Sequence, residues 1–249
     1  MAGMVVASLF LLLLRQAAVP PHLQAARDLV AAVRPETTSY QHKGRIVVWP
    51  DSGKEAECRT DCSGFWNALI PRAYPEVSTA RLAAWLGKKH PQAEDYFQAM
   101  ESGVGFHVKK RVDDIRPGDF IAIKYEPGAE NTGHAVIVDE MPQRIDARAP
   151  TVDGTTQYTV LVIDVTSTPH GVGDSRGKGA GLGQGRIRLY ANSDGTFAGH
   201  AWSLSAKSQY RPMSLRPMSV AEIDLSAIPK SSSPIVYLRS FASSRRISR

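Results

Sequence analysis

The sequence predicts one α+β domain in which N-terminal helices, among them a helix that starts at Cys62, pack on an antiparallel sheet. Two observations predict this class. Apolar residues recur at helical spacing over much of residues 22–100, and short β-branched or alternating runs follow from about residue 104. Because 43% of the 249 residues are hydrophobic, the chain has enough apolar side chains for a full core, and we assign the domain to residues 22–242.

The first residues are typical of a signal peptide rather than of the domain. An apolar run of eleven residues, 4–14, is followed by the small residues Ala17 and Ala18. A membrane span takes about 20 apolar residues, whereas the core of a signal peptide is shorter. We therefore predict a signal peptide at 1–18, export to a periplasmic or extracellular location, and no stable membrane span. The alternative is a mis-assigned start codon upstream of a soluble chain.

The helical half of the domain has four predicted segments. The first covers about 22–34, and the second starts at Cys62, with Phe65, Ala68 and Leu69 on one face. Ser78 or Thr79 can cap the third segment, and Pro91 suits the first position of the fourth. Residues 35–61 are predicted to be irregular, apart from a short strand at 45–49.

The second half is predicted to be mainly strands. They are expected from Phe106, and at 120–123, 134–138, 159–165, 186–190, 199–204 and 234–241. Residues 192–195 suit a hairpin turn. The alternating glycines of 177–185 are interpreted as a mobile loop, because a dinucleotide-binding loop would need a helix after it. Residues 205–232 are expected to wrap the domain, and 243–249 to form a basic frayed tail.

The charge of the chain restricts its partners only broadly. The net charge is +6 and the isoelectric point about 9.4. This balance favours an anionic environment such as a wall polymer, a lipid surface or an acidic substrate, although it also agrees with a role in solubility alone. No nucleic-acid-binding motif or basic helix face is present, so we predict no nucleic-acid partner.

Cys62 is the first candidate for chemistry. The N-terminus of a helix carries partial positive charge and free N–H groups, which favour a thiolate. Gly64 removes a side chain beside the sulfur, which would let a substrate approach. The alternative is a small buried hydrophobic residue at a helix start. The other cysteine, Cys58, is a candidate for a reversible disulfide with Cys62 in an oxidising compartment.

Two further residues complete a possible catalytic set. His134 opens a strand, and Asp164 lies on the same strand face as Val160 and Val162, where a carboxylate needs a partner. A cysteine, a histidine and a polar residue that orients the histidine are the groups that nucleophilic catalysis by a thiolate requires. His170 competes with Asp164 as the orienting residue; we prefer Asp164, because it fits the strand position.

These residues resemble the NlpC-type cell-wall cysteine peptidases of the papain-like superfamily. The matching motifs extend over roughly residues 38–200 and are, in order, residues 61–65 (Asp-Cys-Ser-Gly-Phe), 117–120 (Pro-Gly-Asp-Phe), 133–137 (Gly-His-Ala-Val-Ile) and Asp164. The chain departs from the pattern in two ways. Its third residue is Asp rather than His, Asn or Gln, and no tyrosine lies about a dozen residues before Cys62; Tyr40 is the nearest candidate.

The resemblance implies a papain-like fold and hydrolysis of a peptide or amide bond, in a cell-wall or peptidoglycan-like substrate with a free carboxylate, through a thioester. Cys62 would attack, His134 would serve as base and then acid, and Asp164 would orient the imidazole. The backbone at Cys62 and Ser63 and the ring of Tyr40 are candidates for the oxyanion region, and His170 for substrate contact. No metal or cofactor is implied. The alternatives are an acyltransferase or deamidase with the same residues, and a catalytically inert binding protein.

Overall fold

The computed structural model describes residues 18–230 and has the expected mixed α+β class, with four α-helices and a large antiparallel sheet. The helices come first: α1 (Pro21–Ala32), α2 (Cys62–Ala73), α3 (Thr79–Leu86) and α4 (Ala93–Glu101). Three short strands lie between α1 and α2, namely β1 (Thr38–Tyr40), β2 (Ile46–Val48) and β3 (Glu57–Thr60). No helix among the described residues is long and apolar enough to cross a membrane.

The large sheet takes up most of the second half of the chain. Its strands are β4 (Phe106–Lys109), β5 (Phe120–Lys124), β6 (Gly133–Val138), β7 (Gln143–Ile145), β8 (Thr156–Thr166), β9 (Gly181–Ala191), β10 (Phe197–Ala201), β11 (Tyr210–Pro212) and β12 (Met218–Ile223). Their order across the sheet is β11-β10-β9-β8-β6-β5-β12-β4, and β7 also pairs with β8. The central strands that carry His134 and Asp164, β6 and β8, are direct neighbours.

The two faces of the sheet bury two separate apolar clusters. On β5, Phe120 and Ala122 belong to the cluster that the helices cover, whereas Ile121 and Ile123 belong to the cluster on the opposite face. This division follows from the alternation of side chains along a strand. Both faces of β5 and β6 are buried, so these strands read as continuous apolar runs in the sequence rather than as alternating ones.

Several local predictions are confirmed. The second helix begins at Cys62, Ser78 caps the third helix by accepting from the backbone N–H of Arg81, and residues 192–195 form the turn between β9 and β10. Gly195 occupies this turn with a positive φ of 83°, a conformation that glycine adopts without steric cost. Local chemistry was sufficient in these places because caps and tight turns depend on neighbouring residues.

Four local predictions are wrong. Residues 205–232 do not simply wrap the domain, because they contain β11 and β12, and β12 pairs with both β4 and β5. Residues 35–61 are not mostly irregular, because β1, β2 and β3 form a small sheet in which β3 is central. The fourth helix begins at Ala93, not at Pro91, because the side chains and backbones of Gln92 and Asp95 cap each other reciprocally. The glycine segment is not a loop throughout: Gly181 to Gly185 are the first residues of β9 and pair with β8.

Predictions for the two ends of the chain lie outside the described residues. These are most of the signal peptide at 1–18, the strand at 234–241 and the basic tail at 243–249. The described part of the predicted domain, residues 22–230, contains both sheets, α2, α3, α4 and all of α1 except its first residue, Pro21.

Candidate active site

Cys62 is the first residue of α2 and is almost buried, with 5% of its surface exposed. Asp61 caps this helix: its Oδ1 atom accepts from the backbone N–H of Gly64 at 2.6 Å and from the Ser63 hydroxyl at 3.0 Å. Burial alone would raise the pKa of Asp61, but the hydrogen bonds from the Gly64 N–H, His42 and Arg45, with the charge of Arg45, lower it. The carboxylate of Asp61 therefore supports the helix start and its hydrogen-bonding capacity is already used.

The space beside Gly64 is not open to a substrate, contrary to the sequence interpretation. A Cβ atom at this position would come within 2.2 Å of the Thr60 hydroxyl oxygen and 2.9 Å of the Arg45 side chain. The glycine is needed because the start of α2 packs closely on the end of β3. The requirement comes from internal packing.

His134 stands between Cys62 and Asp164. Its Nε2 atom lies 2.6 Å from Oδ2 of Asp164, and Cys62 is close enough to the ring to raise its pKa. Since the Asp164 carboxylate occupies Nε2, Nδ1 is the ring nitrogen that remains for the sulfur. Burial alone would lower the pKa of His134, but the charges and hydrogen bonds of Cys62 and Asp164 outweigh it and hold that pKa well above its usual value.

Asp164 is completely buried, and three side chains surround its carboxylate. In addition to His134, His170 approaches Oδ2 at 3.1 Å and Arg176 donates to Oδ1 at 2.8 Å. Burial would raise the pKa of Asp164, yet these positive charges and hydrogen bonds hold it well below its usual value. The carboxylate is therefore ionised at neutral pH, as an orienting residue for an imidazolium must be.

His170 supports Asp164 and does not face the cleft. Its side chain is 0% exposed, and its Nδ1 atom lies 2.8 Å from the carbonyl oxygen of Trp202 while Nε2 faces Asp164. Both partners are acceptors, so both contacts are hydrogen bonds only when both ring nitrogens carry protons. His170 therefore has no exposed surface with which to contact a substrate, and its ring instead faces the carboxylate of Asp164.

Arg176 is not solvated, although it lies in a polar, glycine-rich segment of the chain. Instead its side chain is 2% exposed and binds both Asp164 and Asp174 at 2.8 Å, while Arg186 pairs with Glu140. The carboxylates of Asp164 and Asp174 lie against the guanidinium of Arg176 and next to His170. A thiolate at Cys62 and an imidazolium at His134 would then add no net charge to this buried cluster, so the desolvation cost of forming them is limited.

The alternating glycines make room for this cluster. A Cβ atom on Gly183 would lie 2.7 Å from Cγ of Arg176, and one on Gly185 would lie 2.4 Å from Oδ2 of Asp174 and 2.6 Å from the ring of His170. Residues at alternate positions of β9 share one face, so glycine at 183 and 185 leaves that face without side chains where Arg176, Asp174 and His170 pack. This close packing explains why glycine is needed at these two strand positions.

Tyr40 is close to Cys62 in spite of the 22 positions between them. Strand β1 pairs with β3 in parallel, and this register sets Tyr40 opposite Thr60, two residues before the cysteine. Burial raises the pKa of Tyr40, and the nearby Cys62 and Asp61 raise it further. Residues 41–56, which include β2, account for the long separation in sequence between Tyr40 and Cys62. The ring lines the cleft beside His134, and its hydroxyl makes no hydrogen bond within residues 18–230.

The hydroxyl of Ser63 is not available to a substrate, because it donates to Asp61. The first N–H groups of a helix have no partner inside the helix. In the described part of the chain, the N–H groups of Cys62 and Ser63 make no backbone hydrogen bond. They are therefore available to an oxygen atom that binds beside the sulfur.

A cleft of about 560 Å³ opens on His134 and Tyr40. Trp202, which the sequence interpretation did not single out, forms part of its wall: its ring centroid is 4.9 Å from that of His134 and 4.2 Å from that of His170. Nothing in the local sequence around Trp202 signals this position, because β10 reaches the site only through its pairing with β9. Across residues 18–230, no group of His, Cys, Asp and Glu is arranged to hold a metal ion.

Comparison with known proteins relates the chain to a viral sequence. It is 36% identical over 222 residues to the uncharacterized protein R653 of Acanthamoeba polyphaga mimivirus, and the match covers 83% of this chain and 97% of the viral protein. The chain belongs to the same family as R653. No protein-family model matches the chain, and no solved structure matches it. The family membership therefore carries no activity with it.

Proposed function

We propose that the protein is a thiol hydrolase of the papain-like, NlpC type, which cleaves a peptide or amide bond through a thioester. One observation carries the proposal: His134 joins Cys62, at the start of a helix, to a buried, ionised Asp164. A structural cysteine or histidine would not need this chain of contacts, because an apolar residue could fill either position at lower desolvation cost.

In the first half-reaction the Cys62 thiolate attacks the carbonyl carbon of the substrate. The N–H groups of Cys62 and Ser63, and the hydroxyl of Tyr40, stabilise the negative charge that develops on the carbonyl oxygen. Nδ1–H of His134 gives its proton to the departing amine, and a thioester to Cys62 remains. Asp164 keeps the imidazole oriented throughout, through its contact with Nε2.

In the second half-reaction His134, now neutral, takes a proton from water, and the resulting hydroxide attacks the thioester carbon. The carboxylic acid leaves, and Cys62 regains its thiolate while His134 is again protonated. The resemblance favours a cell-wall peptide as substrate and an exported protein. An acyltransferase or deamidase would form the same thioester but differ in the acceptor or in the leaving group.

Mass spectrometry of the protein during reaction with peptidoglycan-derived peptides tests the proposal. We expect a transient acyl adduct on the peptide that contains Cys62, and release of a free amine and a free acid. Cys62→Ala should form no adduct, and Cys58→Ala serves as the matched control with the other cysteine removed. Transfer to an added amine in preference to water would indicate an acyltransferase, and release of ammonia a deamidase. A Cys62 that is inert to a thiol-reactive, substrate-mimicking probe at pH 7 would indicate a binding protein.

A further inference from the structure

One end of the cleft is positively charged. Its lining includes Lys207, Arg211 and Arg216, and, among the described residues that line it, no aspartate or glutamate. Two of the cations differ in how they are held. Arg216 forms an ion pair with Glu126 at 2.7 Å and lies 4.2 Å over the ring of Tyr125, so its charge is largely compensated.

Arg211 and Lys207 form no such ion pair, although Glu126 is near enough to Arg211 for the two charges to interact. Within residues 18–230, the side chains of Arg211 and Lys207 form no salt bridge and no hydrogen bond, and both residues line the cleft. The β10–β11 register sets Arg211 directly opposite His200, which puts both side chains on one face of the sheet. Arg211, Lys207 and Arg216 therefore give the wall of the cleft that contains His134 an excess of positive charge.

His200 is a polar residue without a polar partner in this wall. It is 5% exposed, and its Nδ1 atom is buried with no hydrogen bond in the described structure. Burial, followed by the charges of Arg216 and Arg211, lowers the pKa of His200 to about 4. The ring is therefore neutral at pH 7 and does not compete with the cations for an anion. A buried polar atom without a partner is unusual in a protein interior, and this one belongs to a residue that lines the cleft.

We propose that Arg211, with Lys207, binds a carboxylate of the substrate on the His134 side of the scissile amide. This inference rests on the proposed function, since it concerns the same cleft. A guanidinium presents two parallel N–H donors that match a carboxylate. Carboxylates are also the common anionic groups of peptides, which favours a carboxylate over a phosphate here. The wall of the cleft therefore favours acidic substrates, in agreement with the net charge of +6 of the chain.

Alkylation of Cys62 tests this assignment without a known substrate. The probes are iodoacetate, which carries a carboxylate, and iodoacetamide, its neutral analogue, and the readout is the ratio of the two rates at low salt. We expect Arg211→Gln to lower this ratio roughly three- to tenfold, which corresponds to the loss of one charge at several ångströms in a partly solvated site. Lys207→Gln should lower it less, because an ammonium makes no bidentate contact.

Matched controls separate the cleft from the overall charge. Arg144→Gln removes an exposed arginine on β7, and Lys110→Gln an exposed lysine, both outside the lining of the cleft; neither should change the ratio. Cys58 is 0% exposed and should not be alkylated. The peptide that carries the modification should therefore be the one that contains Cys62. An unchanged ratio in Arg211→Gln, or an equal fall in Arg144→Gln, would overturn the assignment.

Two further arms identify the anion and separate the two proposals. Added N-acetylglutamate should abolish the preference for iodoacetate, whereas inorganic phosphate at equal ionic strength should not; the reverse result would overturn the assignment to a carboxylate. The ratio does not require turnover. If Arg211→Gln lowers the ratio as expected but the parent protein hydrolyses no amide, the result counts against the proposed function alone. If the parent hydrolyses amides but Arg211→Gln leaves the ratio unchanged, the result counts against the carboxylate site alone.

Discussion

The Oδ2 atom of Asp164 lies 2.6 Å from Nε2 of His134, in a position that no solvent reaches. The carboxylate that orients the candidate catalytic histidine is itself oriented by His170 and Arg176. Three donors therefore meet at one buried acceptor. This arrangement determines how variants of each residue should behave.

Asp164→Asn should lower the rate by up to about 10⁴-fold, the loss that follows when the orienting carboxylate of a Ser-His-Asp site becomes an amide. It should also narrow the active pH range from the alkaline side. Asp164 raises the pKa of His134, so loss of its charge lowers that pKa and the imidazolium disappears at lower pH. A pH–rate profile against the parent measures both effects.

His170→Ala should cost much less activity than Asp164→Asn, because Arg176 still holds the carboxylate. It should reduce the stability instead, since a buried charge-assisted hydrogen bond is worth about 1.5–3 kcal/mol and a cavity remains. Thermal unfolding, measured beside the pH–rate profile, separates these effects. A silent Asp164→Asn beside an inactive, well-folded His170→Ala would show that His170 is the orienting residue.

Cys62→Ser should abolish activity with the fold intact, because the serine hydroxyl is not ionised by His134 at neutral pH. Cys58→Ser should retain activity. Burial raises the pKa of Cys58 to about 12, and its side chain is 0% exposed, so it is no nucleophile. Activity assays and far-ultraviolet circular dichroism of both variants decide this. Comparable turnover by Cys62→Ser would remove Cys62 from the mechanism.

Tyr40→Phe should lower kcat by roughly 10²-fold, as expected for loss of one donor to the developing oxyanion. KM should change little, because the ring remains in the cleft wall. Alkylation of Cys62 by iodoacetamide involves no oxyanion and should proceed at the parent rate. If kcat is unchanged, the hydroxyl of Tyr40 has no part in the chemistry.

Gly183→Ala should destabilise the protein by about 1–3 kcal/mol, the usual cost of overpacking, and should lower activity as well. The new methyl group would lie 2.7 Å from Arg176 and displace it from Asp164. Gly179→Ala is the matched control, because its Cβ would meet only the Arg176 carbonyl oxygen at 3.2 Å. Equal melting temperatures for the two variants would contradict the packing argument.

Asp119→Asn should stabilise the protein at pH 7 by up to about 3 kcal/mol, with little effect near pH 4. Burial raises the pKa of Asp119 to about 6, above the value of about 3.9 for an unfolded chain. The folded state thus binds more protons between these values, and stability falls as pH rises through them. Melting temperatures at the two pH values test this, with the exposed Asp113→Asn as control; a lower melting temperature for Asp119→Asn at pH 7 would refute it.

The sequence by itself determined the α+β class, the helix that begins at Cys62 and the strands that carry His134 and Asp164. These features depend on local signals: an N-cap at Asp61, helical spacing after it, and β-branched runs whose alternation turns Asp164 inward. Each signal lies within about ten residues of the element it specifies. Physical rules for caps and periodicity are therefore sufficient to locate them.

Only the tertiary structure decided the surroundings of these residues. Tyr40 comes beside Cys62 through a parallel pairing of β1 with β3, which no spacing in the sequence announces. His170 and Arg176 turn inward because both have a buried carboxylate to bind and because Gly183 and Gly185 leave them room. A charged side chain in a polar segment is expected in solvent by any local rule. Its burial depends on partners contributed by strands that meet only in the folded chain.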